Sequence, residues 1–272
     1  MRRLLICLPL CLLMAPSGPH NAAHPPGSNL AEVIDDGSAL PTQAQMKRLA
    51  ETDPVAFLEA CLRRYDREVK GYRCILHKQE RLGGVLQPSE EIAVDFREKP
   101  FSVLMDWKEG ARLAQRTLYV KGENKDKMLA KGAGLLALGG VLERDADSED
   151  AKRSSRYAIT EFGIKVGTQR TLAAWKQAVK DDALHVEFLG EVKVKEVGDR
   201  VCWKLRRTGY KSPEDIDGVT DGTFYFDAET WLQVGSTLKG ADGQLLADYF
   251  FKDIELNPDF KPDTFTKEAI GR

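Results

Sequence analysis

The chain has 272 residues and a formal net charge of −2, from 40 Lys and Arg against 42 Asp and Glu. Proteins that bind nucleic acid need a basic excess to neutralise phosphates, so we exclude nucleic acid as a partner. The patterns G-x-S-x-G, H-E-x-x-H and the glycine-rich phosphate loop do not occur in the sequence. Cys74 and His77 would face opposite sides of a strand, which disfavours a zinc site. The sequence therefore predicts a protein that is not an enzyme, with no metal site and no cofactor.

The N-terminus has the three parts of a secretory signal peptide. Met1-Arg2-Arg3 is basic, Leu4 to Met14 is apolar, and Ala15-Pro16-Ser17 provides a small-x-small cleavage site. We assign residues 1–17 to this signal and expect a periplasmic or secreted protein. The apolar run is shorter than the ~20 residues of a membrane span, so we expect no stable span after cleavage. Without cleavage, the run would remain as an anchor.

Two further regions follow the signal. Residues 18–41 are rich in Pro, Ala, Gly, Ser and Asn and have no hydrophobic period, which predicts a disordered linker. Residues 42–272 contain no internal linker or repeat, and single β-rich domains commonly reach this size. We therefore expect one domain from residue 42 to the C-terminus.

Two amphipathic helices are predicted. Asp53-Pro54 combines a capping side chain with a proline in the first turn. Apolar residues then recur at spacings of three and four and share one helix face, namely Val55, Leu58, Cys61, Leu62, Tyr65 and Val69. Thr168 can cap a second helix, in which Leu172, Trp175 and Val179 repeat at the same spacing. Each helix therefore has an apolar stripe to bury against a sheet.

Most of the remaining sequence predicts β-strands. Apolar and polar residues alternate from Tyr72 onwards, and Gly83-Gly84 and Asp242-Gly243 indicate hairpin turns. Successive strands joined by short turns pair antiparallel, because parallel pairs need long crossovers. The expected fold class is α+β: a curved antiparallel sheet, an unclosed half β-barrel, with helices packed on its concave face.

An apolar stripe and a glycine-rich run suggest a cavity on that concave face. The stripe Phe101, Val103, Met105 and Trp107 is followed by Leu118 and Val120 on the next strand, and it forms either ordinary core or a cavity wall. The run 132–140 is either a flap over the cavity or a plain connection. The predicted ligand-binding residues are Phe101, Val103, Met105, Trp107, Leu118, Val120, Leu135, Leu136 and Leu138.

Three cysteines remain after signal removal, in a compartment where disulfides persist. Cys61 lies about 13 Å from the end of its helix, and Cys74 about 10 Å into the following strand. The two would come level if the strand folds back along the helix. A Cys61–Cys74 bridge, a Cys74–Cys202 bridge and three buried thiols all remain open.

Several segments together resemble an uncharacterised family of exported bacterial proteins, domain of unknown function 1571. The matching segments are Tyr72-Arg73-Cys74, Lys78-Gln79-Glu80-Arg81, Lys99-Pro100-Phe101-Ser102-Val103, Leu118-Tyr119-Val120-Lys121-Gly122, Ile159-Thr160-Glu161-Phe162-Gly163-Ile164, and Tyr249-Phe250-Phe251 running to Leu256-Asn257. More distantly, the order of elements is similar to that of the periplasmic lipoprotein carriers of the LolA and LolB type. That resemblance implies a half-barrel whose concave face accepts acyl chains.

Two functional hypotheses follow. The first is an exported protein that binds an apolar ligand, a lipid or a lipoprotein acyl chain, in the half-barrel. The second is a structural or protein-interaction module of the cell envelope, whose concave face is packed solid and binds no ligand. They differ in whether the concave side is hollow.

Overall fold

The structure is a computed structural model that describes residues 30–146, 148–211 and 218–271. The predicted signal peptide lies outside these residues. The strands are β1 Gly71–Leu82, β2 Val85–Leu86, β3 Glu90–Arg97, β4 Ser102–Glu109, β5 Ala114–Val120, β6 Lys127–Gly132, β7 Val141–Asp145, β8 His185–Val194, β9 Arg200–Thr208, β10 Asp221–Asp227, β11 Gln233–Lys239 and β12 Leu245–Leu256. The helices are α1 Gln43–Thr52, α2 Pro54–Glu68, α3 Glu149–Ser154, α4 Ile164–Lys180 and α5 Lys267–Gly271.

The strands form one antiparallel sheet in the order β7-β6-β5-β4-β3-β1-β12-β11-β10-β9-β8, and the short β2 pairs with β1. Strand β1 lies in the middle, where Tyr72 pairs with Phe96 of β3 and with Leu256 of β12. Strands β7 and β8 are the two outer edges and do not pair with each other, so the described sheet is not closed. The predicted fold class, an α+β half-barrel built on a curved antiparallel sheet, is confirmed.

Helix α2 has the predicted position. Its cap is Asp53, whose side chain accepts a hydrogen bond of 3.0 Å from the Ala56 N–H, and its last turn closes with Val69 N–H donating to Tyr65 O. Phe57 is buried and contacts two rings of the sheet edge-on, with centroids 5.7 Å from Trp203 and 5.0 Å from Phe226. The apolar stripe of α2 thus packs on the concave face.

Helix α4 begins earlier than the sequence predicted. Its N-cap is Gly163, whose φ of 129° suits glycine, and the Ile164 N–H donates to the buried Tyr72 hydroxyl at 3.2 Å. Thr168 lies inside the helix, where its hydroxyl donates to Ile164 O at 2.8 Å, so the prediction that it caps the helix was wrong. Val179 is exposed and does not belong to the buried stripe.

The region before α2 is more ordered than predicted. Thr42 and Gln45 form a capping box that starts α1, an element the sequence analysis missed. Before it, Leu40 packs against the core, and the Arg67 Nε donates to Asp35 at 2.6 Å. The hydrogen bond from Arg67 lowers the pKa of Asp35 to about 2, although slight desolvation opposes it. The expectation of a disordered linker therefore does not hold for residues 30–41.

The convex face of the sheet is covered in part by the C-terminal segment. Leu104 lies opposite Leu118 across β4 and β5, so both share the face away from α2 and α4. Leu118 and Val120 belong to a buried cluster with Phe265 and Ile270. The expectation that Leu118 and Val120 line the concave side was therefore wrong, because the register turns them to the opposite face.

All three cysteines of the described chain are free and buried. Cys61 packs in the cluster that contains Trp175, whereas Cys74 lies in a second cluster with Tyr72. Cys74 on β1 and Cys202 on β9 are four strand spacings apart, roughly 19 Å along the sheet, and a disulfide needs Cα atoms within about 7 Å. Both disulfide hypotheses, Cys61–Cys74 and Cys74–Cys202, are therefore wrong, and the three cysteines are buried thiols. Burial raises the pKa of each, that of Cys202 to about 12.

Candidate ligand-binding cavity

The concave face is filled by helices on one side only. Over the Trp203 end of β9 and the Phe226 end of β10 it is packed solid, because Phe57 of α2 meets Trp203 and Phe226 edge-on. These side chains share one buried cluster. Over β5 to β7 the described helices α2 and α4 make no such packing, and residues 133–140 and 148–163 cover the sheet instead. The sheet is thus plugged at one end and covered by a connecting segment at the other.

A cavity of about 1460 Å³ lies under this covering segment, between α4 and the inner face of the sheet, and its lining reaches from β7 through β1 to Arg207 of β9. Part of its floor is a row of residues that lie opposite one another across β4 to β7, namely Met105, Thr117, Ala130 and Leu142. Leu76, Ile92 and Trp107 extend this wall over the neighbouring strands. Ligand pockets typically measure about 300–1,000 Å³. The space is therefore large enough for a ligand of lipid size.

The structure brings together four of the nine residues predicted to bind a ligand: Met105, Trp107, Leu135 and Leu136 line the cavity. The other five residues lie elsewhere. Val103 is buried in the core, and the Phe101 ring packs on Phe96 and Tyr119, with centroid distances of 5.5 and 6.0 Å. Leu118 and Val120 are on the convex face. Leu138 is exposed.

The covering segment has more structure than the sequence indicated. Strands β6 and β7 flank a 3-10 turn, Gly134–Gly139, where the sequence suggested either a flap or a plain connection. Leu136 lies close against β6, because a Cβ on Gly132 would come within 2.6 Å of it. Leu135 and Leu138 are 87% and 88% exposed. The turn thus presents apolar side chains at the mouth of the cavity.

A buried carboxylate fastens the other end of the covering segment. Glu80 of β1 is only 2% exposed. It accepts hydrogen bonds from the Tyr249 hydroxyl at 2.6 Å, the Arg156 N–H at 3.3 Å and the Ser155 hydroxyl at 3.4 Å. Burial, and then the charge of Glu80, raise the pKa of Tyr249 well above its usual value. Tyr249 therefore keeps its proton and acts as the donor.

A second clamp runs through Glu90 of β3. The Lys78 ammonium lies 3.0 Å from its carboxylate and the Arg112 Nε lies 3.3 Å from it. Arg112 also donates to Gln87 Oε1 at 2.9 Å and to the carbonyl oxygen of Ser154 at 3.0 Å, which ties the end of α3 to the sheet. The acidic and basic groups at this wall are thus paired with one another, and they hold the covering segment in place.

A different polar group lies on the far side of the cavity. Arg207 of β9 lines the cavity and is 5% exposed. Its Cζ is 3.9 Å from the centroid of the Tyr210 ring. Burial lowers the pKa of Arg207, against the raising effect of Tyr210, and burial raises the pKa of Tyr210 to about 12. On α4, Arg170 stacks on Tyr157 at 3.8 Å in the same way.

Sequence reasoning missed Glu80, Tyr249 and Arg112. It favoured a solvated strand face over an anion site for Lys204, Arg206 and Arg207, whereas Arg207 is buried. The alternation of residues along the strands could have identified some of them. Lys78 and Glu80 share the inward phase of Leu76 on β1, and Arg207 continues the inward row of Trp203 and Leu205 on β9. A charged residue on the buried phase of a strand needs a partner or a ligand.

In the described part of the chain, no group of three or more His, Cys, Asp and Glu side chains is placed to hold a metal ion. Among the helices described, none combines the length and the apolar character that crossing a bilayer requires.

The fold and the cavity together define the class of protein: an open half-barrel with a cavity between the sheet and the segment that covers it. The chain belongs to the family described as "Protein of unknown function (DUF1571)", which it matches over residues 69–269. The family resemblance seen in the sequence is confirmed. No curated protein matches the sequence.

Three solved structures illustrate a distant likeness. A chain of the Pseudomonas aeruginosa MucA/MucB complex is 14% identical, with 80% of this chain and 62% of that chain covered and a TM-score of 0.45. The Mycobacterium tuberculosis lipoprotein LppX is 12% identical, with 77% and 99% covered and a TM-score of 0.43. A LolA superfamily protein from Nitrosomonas europaea is 8% identical, with 78% and 98% covered and a TM-score of 0.34. Likenesses this distant transfer no function.

Proposed function

We propose that this protein is an exported, non-enzymatic binding protein of the cell envelope that holds an apolar ligand, a lipid or a lipoprotein acyl chain, in the half-barrel. The observation that carries the proposal is the cavity of about 1460 Å³ between α4 and the inner face of the sheet. Export is inferred from the signal-peptide pattern of residues 1–17.

The chemistry of the cavity wall supports an acyl chain. Leu76, Ile92, Met105 and Trp107 supply apolar surface, and each methylene removed from water contributes about 0.8 kcal/mol. The charged groups on the β1 and β3 side are paired with one another, so a hydrocarbon can lie against them without leaving an ion newly unpaired. Leu135 at the mouth offers an apolar route of entry.

The second candidate is a structural or protein-interaction module without a ligand. It is favoured by another part of the concave face, where Phe57 fills the space against Trp203 of β9 and Phe226 of β10. A ligand-free module would need the remaining cavity to serve no binding role.

Extraction of the purified protein with organic solvent, followed by mass spectrometry, tests the two candidates. We expect lipid in near-stoichiometric amount from the wild type. Ala130 lies on the cavity floor, so Ala130→Trp should reduce the lipid yield by filling the space. Ala93→Trp is the matched control, because Ala93 lies between the inward-facing Ile92 and Val94 and thus faces the convex side.

The binding proposal fails if the wild type yields no lipid and the stripped protein shows no saturable binding of a neutral apolar dye such as N-phenyl-1-naphthylamine. Lipid that is equally abundant in wild type and Ala130→Trp would place it outside the cavity. Thermal melts of both variants show whether each remains folded.

A further inference from the structure

One charged side chain on the cavity wall stands apart from the paired groups. The Nε and Nη1 atoms of Arg207 are buried and make no hydrogen bond. No carboxylate of the described residues forms an ion pair with it, in contrast to its neighbour Arg206, which is bound to Asp221 at 2.6 Å. A buried guanidinium without an anion is costly for the fold. A ligand that supplies the anion would offset that cost.

The register keeps Arg207 away from the acidic groups of the cavity. Arg207 lies opposite Gly222, Gly222 opposite Leu238, Leu238 opposite Ala247, and Ala247 opposite Glu80. Glu80 and Arg207 are thus in one row, four strand spacings or roughly 19 Å apart along the sheet. Glu80 is already held by Tyr249. The cavity therefore has a neutralised polar wall at one side and an uncompensated cation at the other.

The surroundings of Arg207 suit a ligand with an acidic head. Gly222 leaves room for Tyr210, because a Cβ there would lie 3.0 Å from the Tyr210 hydroxyl oxygen. The Tyr210 ring stacks on the guanidinium and fixes its plane. Arg170 adds a second guanidinium to the cavity lining, with its charge shared with Glu161 at 3.6 Å. A planar guanidinium with free N–H donors matches a carboxylate or phosphate.

We propose that Arg207 binds the anionic head, carboxylate or phosphate, of a single-chain amphiphile whose hydrocarbon lies in the cavity. This inference rests on the proposed function and specifies the class of ligand. It assigns Arg207 to ligand binding and Tyr210 to positioning the guanidinium. The ligand enters with its chain against the apolar floor and its acid at β9.

Displacement of N-phenyl-1-naphthylamine by dodecanoate, dodecyl phosphate, methyl dodecanoate and inorganic phosphate tests the assignment. We expect the two anionic amphiphiles to bind at least about tenfold more tightly than the ester, because hydrogen bonds to charged groups are the strong ones. Arg207→Gln should remove that preference and leave the ester within about twofold of wild type. Arg206→Gln is the control, since Arg206 faces the other side of β9 and should change nothing.

Separate outcomes identify which idea fails. Equal affinity of the wild type for dodecanoate and its methyl ester overturns the role of Arg207 but leaves the binding function intact. Failure to bind any of the amphiphiles or the dye overturns both. Inorganic phosphate that binds as tightly as dodecyl phosphate overturns the lipid assignment. Arg207→Met should leave the ligand-free protein at least as stable as wild type, and a large loss of stability would show that Arg207 serves the fold instead.

Discussion

The Tyr249 hydroxyl and the Glu80 carboxylate lie 2.6 Å apart on adjacent strands, β12 and β1, in the wall of the cavity. This hydrogen bond joins the N-terminal and C-terminal parts of the sheet at its centre. Glu80 also accepts the Arg156 N–H, so the same carboxylate fixes the segment that covers the cavity. The sheet and its cover are therefore coupled through one buried acid.

Tyr249→Phe should destabilise the protein by about 1–3 kcal/mol, because the buried carboxylate loses its shortest hydrogen bond. Urea unfolding followed by circular dichroism measures the change. In the Glu80→Gln background, the same substitution should cost less, since a neutral amide is less expensive to leave unpaired. A loss of equal size in both backgrounds would contradict coupling between the two groups.

Acid sensitivity should depend on Asp227, which closes the turn between β10 and β11. Its buried carboxylate accepts the Thr230 N–H at 2.8 Å and an Arg200 Nη2 bond at 3.0 Å. Burial raises the pKa of Asp227, but the bonds from Arg200 and Thr230 outweigh it, so the pKa is lowered. A carboxyl whose pKa is lower in the folded state stabilises the protein above pH ~4 and loses that contribution as the pH falls further.

Asp227→Asn should therefore lower the free energy of unfolding by about 1–3 kcal/mol at pH 7. Between about pH 5 and pH 3, the stability of the variant should fall less steeply than that of the wild type. Denaturant melts across this pH range give the measurement. Asp221→Asn on the same strand is the matched control, because its pair with Arg206 is exposed and worth about 1 kcal/mol or less. Equal pH profiles for the two variants would show that Asp227 is not the group responsible.

The sequence predicted the elements whose signals are local. Asp53-Pro54 was sufficient to predict the start of α2, and Gly83-Gly84 was sufficient to predict a turn, because helix capping and a positive φ are properties of single positions. Of the predicted apolar residues, Met105 and Trp107 line the cavity, whereas Leu118 lies on the opposite face. Alternation along one strand gives its two faces, yet which face is inward depends on pairing with the next strand, and the β4–β5 register sets this.

The rest of the site depends on long-range contacts. Glu80 and Tyr249 are 169 positions apart in the chain. The position of Arg207 relative to Glu80 depends on the strand order, in which β9 is the fourth strand from β1. The C-terminal α5 covers the convex face through contacts with Leu118 that no local pattern marks. The predicted burial of the cysteines also could not show whether they form a disulfide or remain thiols, since cysteine is buried in both forms.

The three cysteines of the described chain should react only after unfolding. Burial raises the pKa of Cys61, Cys74 and Cys202, and the thiolate is the reactive species. Iodoacetamide at pH 8 followed by peptide mass mapping should label none of the three in the native protein and all three in guanidinium chloride. Raising the pH to 9 should change little in the native state. Peptides linked by a disulfide in the non-reduced digest would contradict this arrangement.

Leu135 and Leu138 provide a matched test of the covering segment. They lie in the same turn and are equally exposed, but only Leu135 lines the cavity. Leu135→Asp should weaken binding of N-phenyl-1-naphthylamine about threefold to tenfold, because a charge at the mouth replaces apolar contact. Leu138→Asp should stay within about twofold, and both should keep wild-type stability to about 0.5 kcal/mol, as exposed positions do. Wild-type affinity in both variants would remove the turn from the binding mechanism, whereas an equal loss in both would mean that the whole turn acts as one apolar surface.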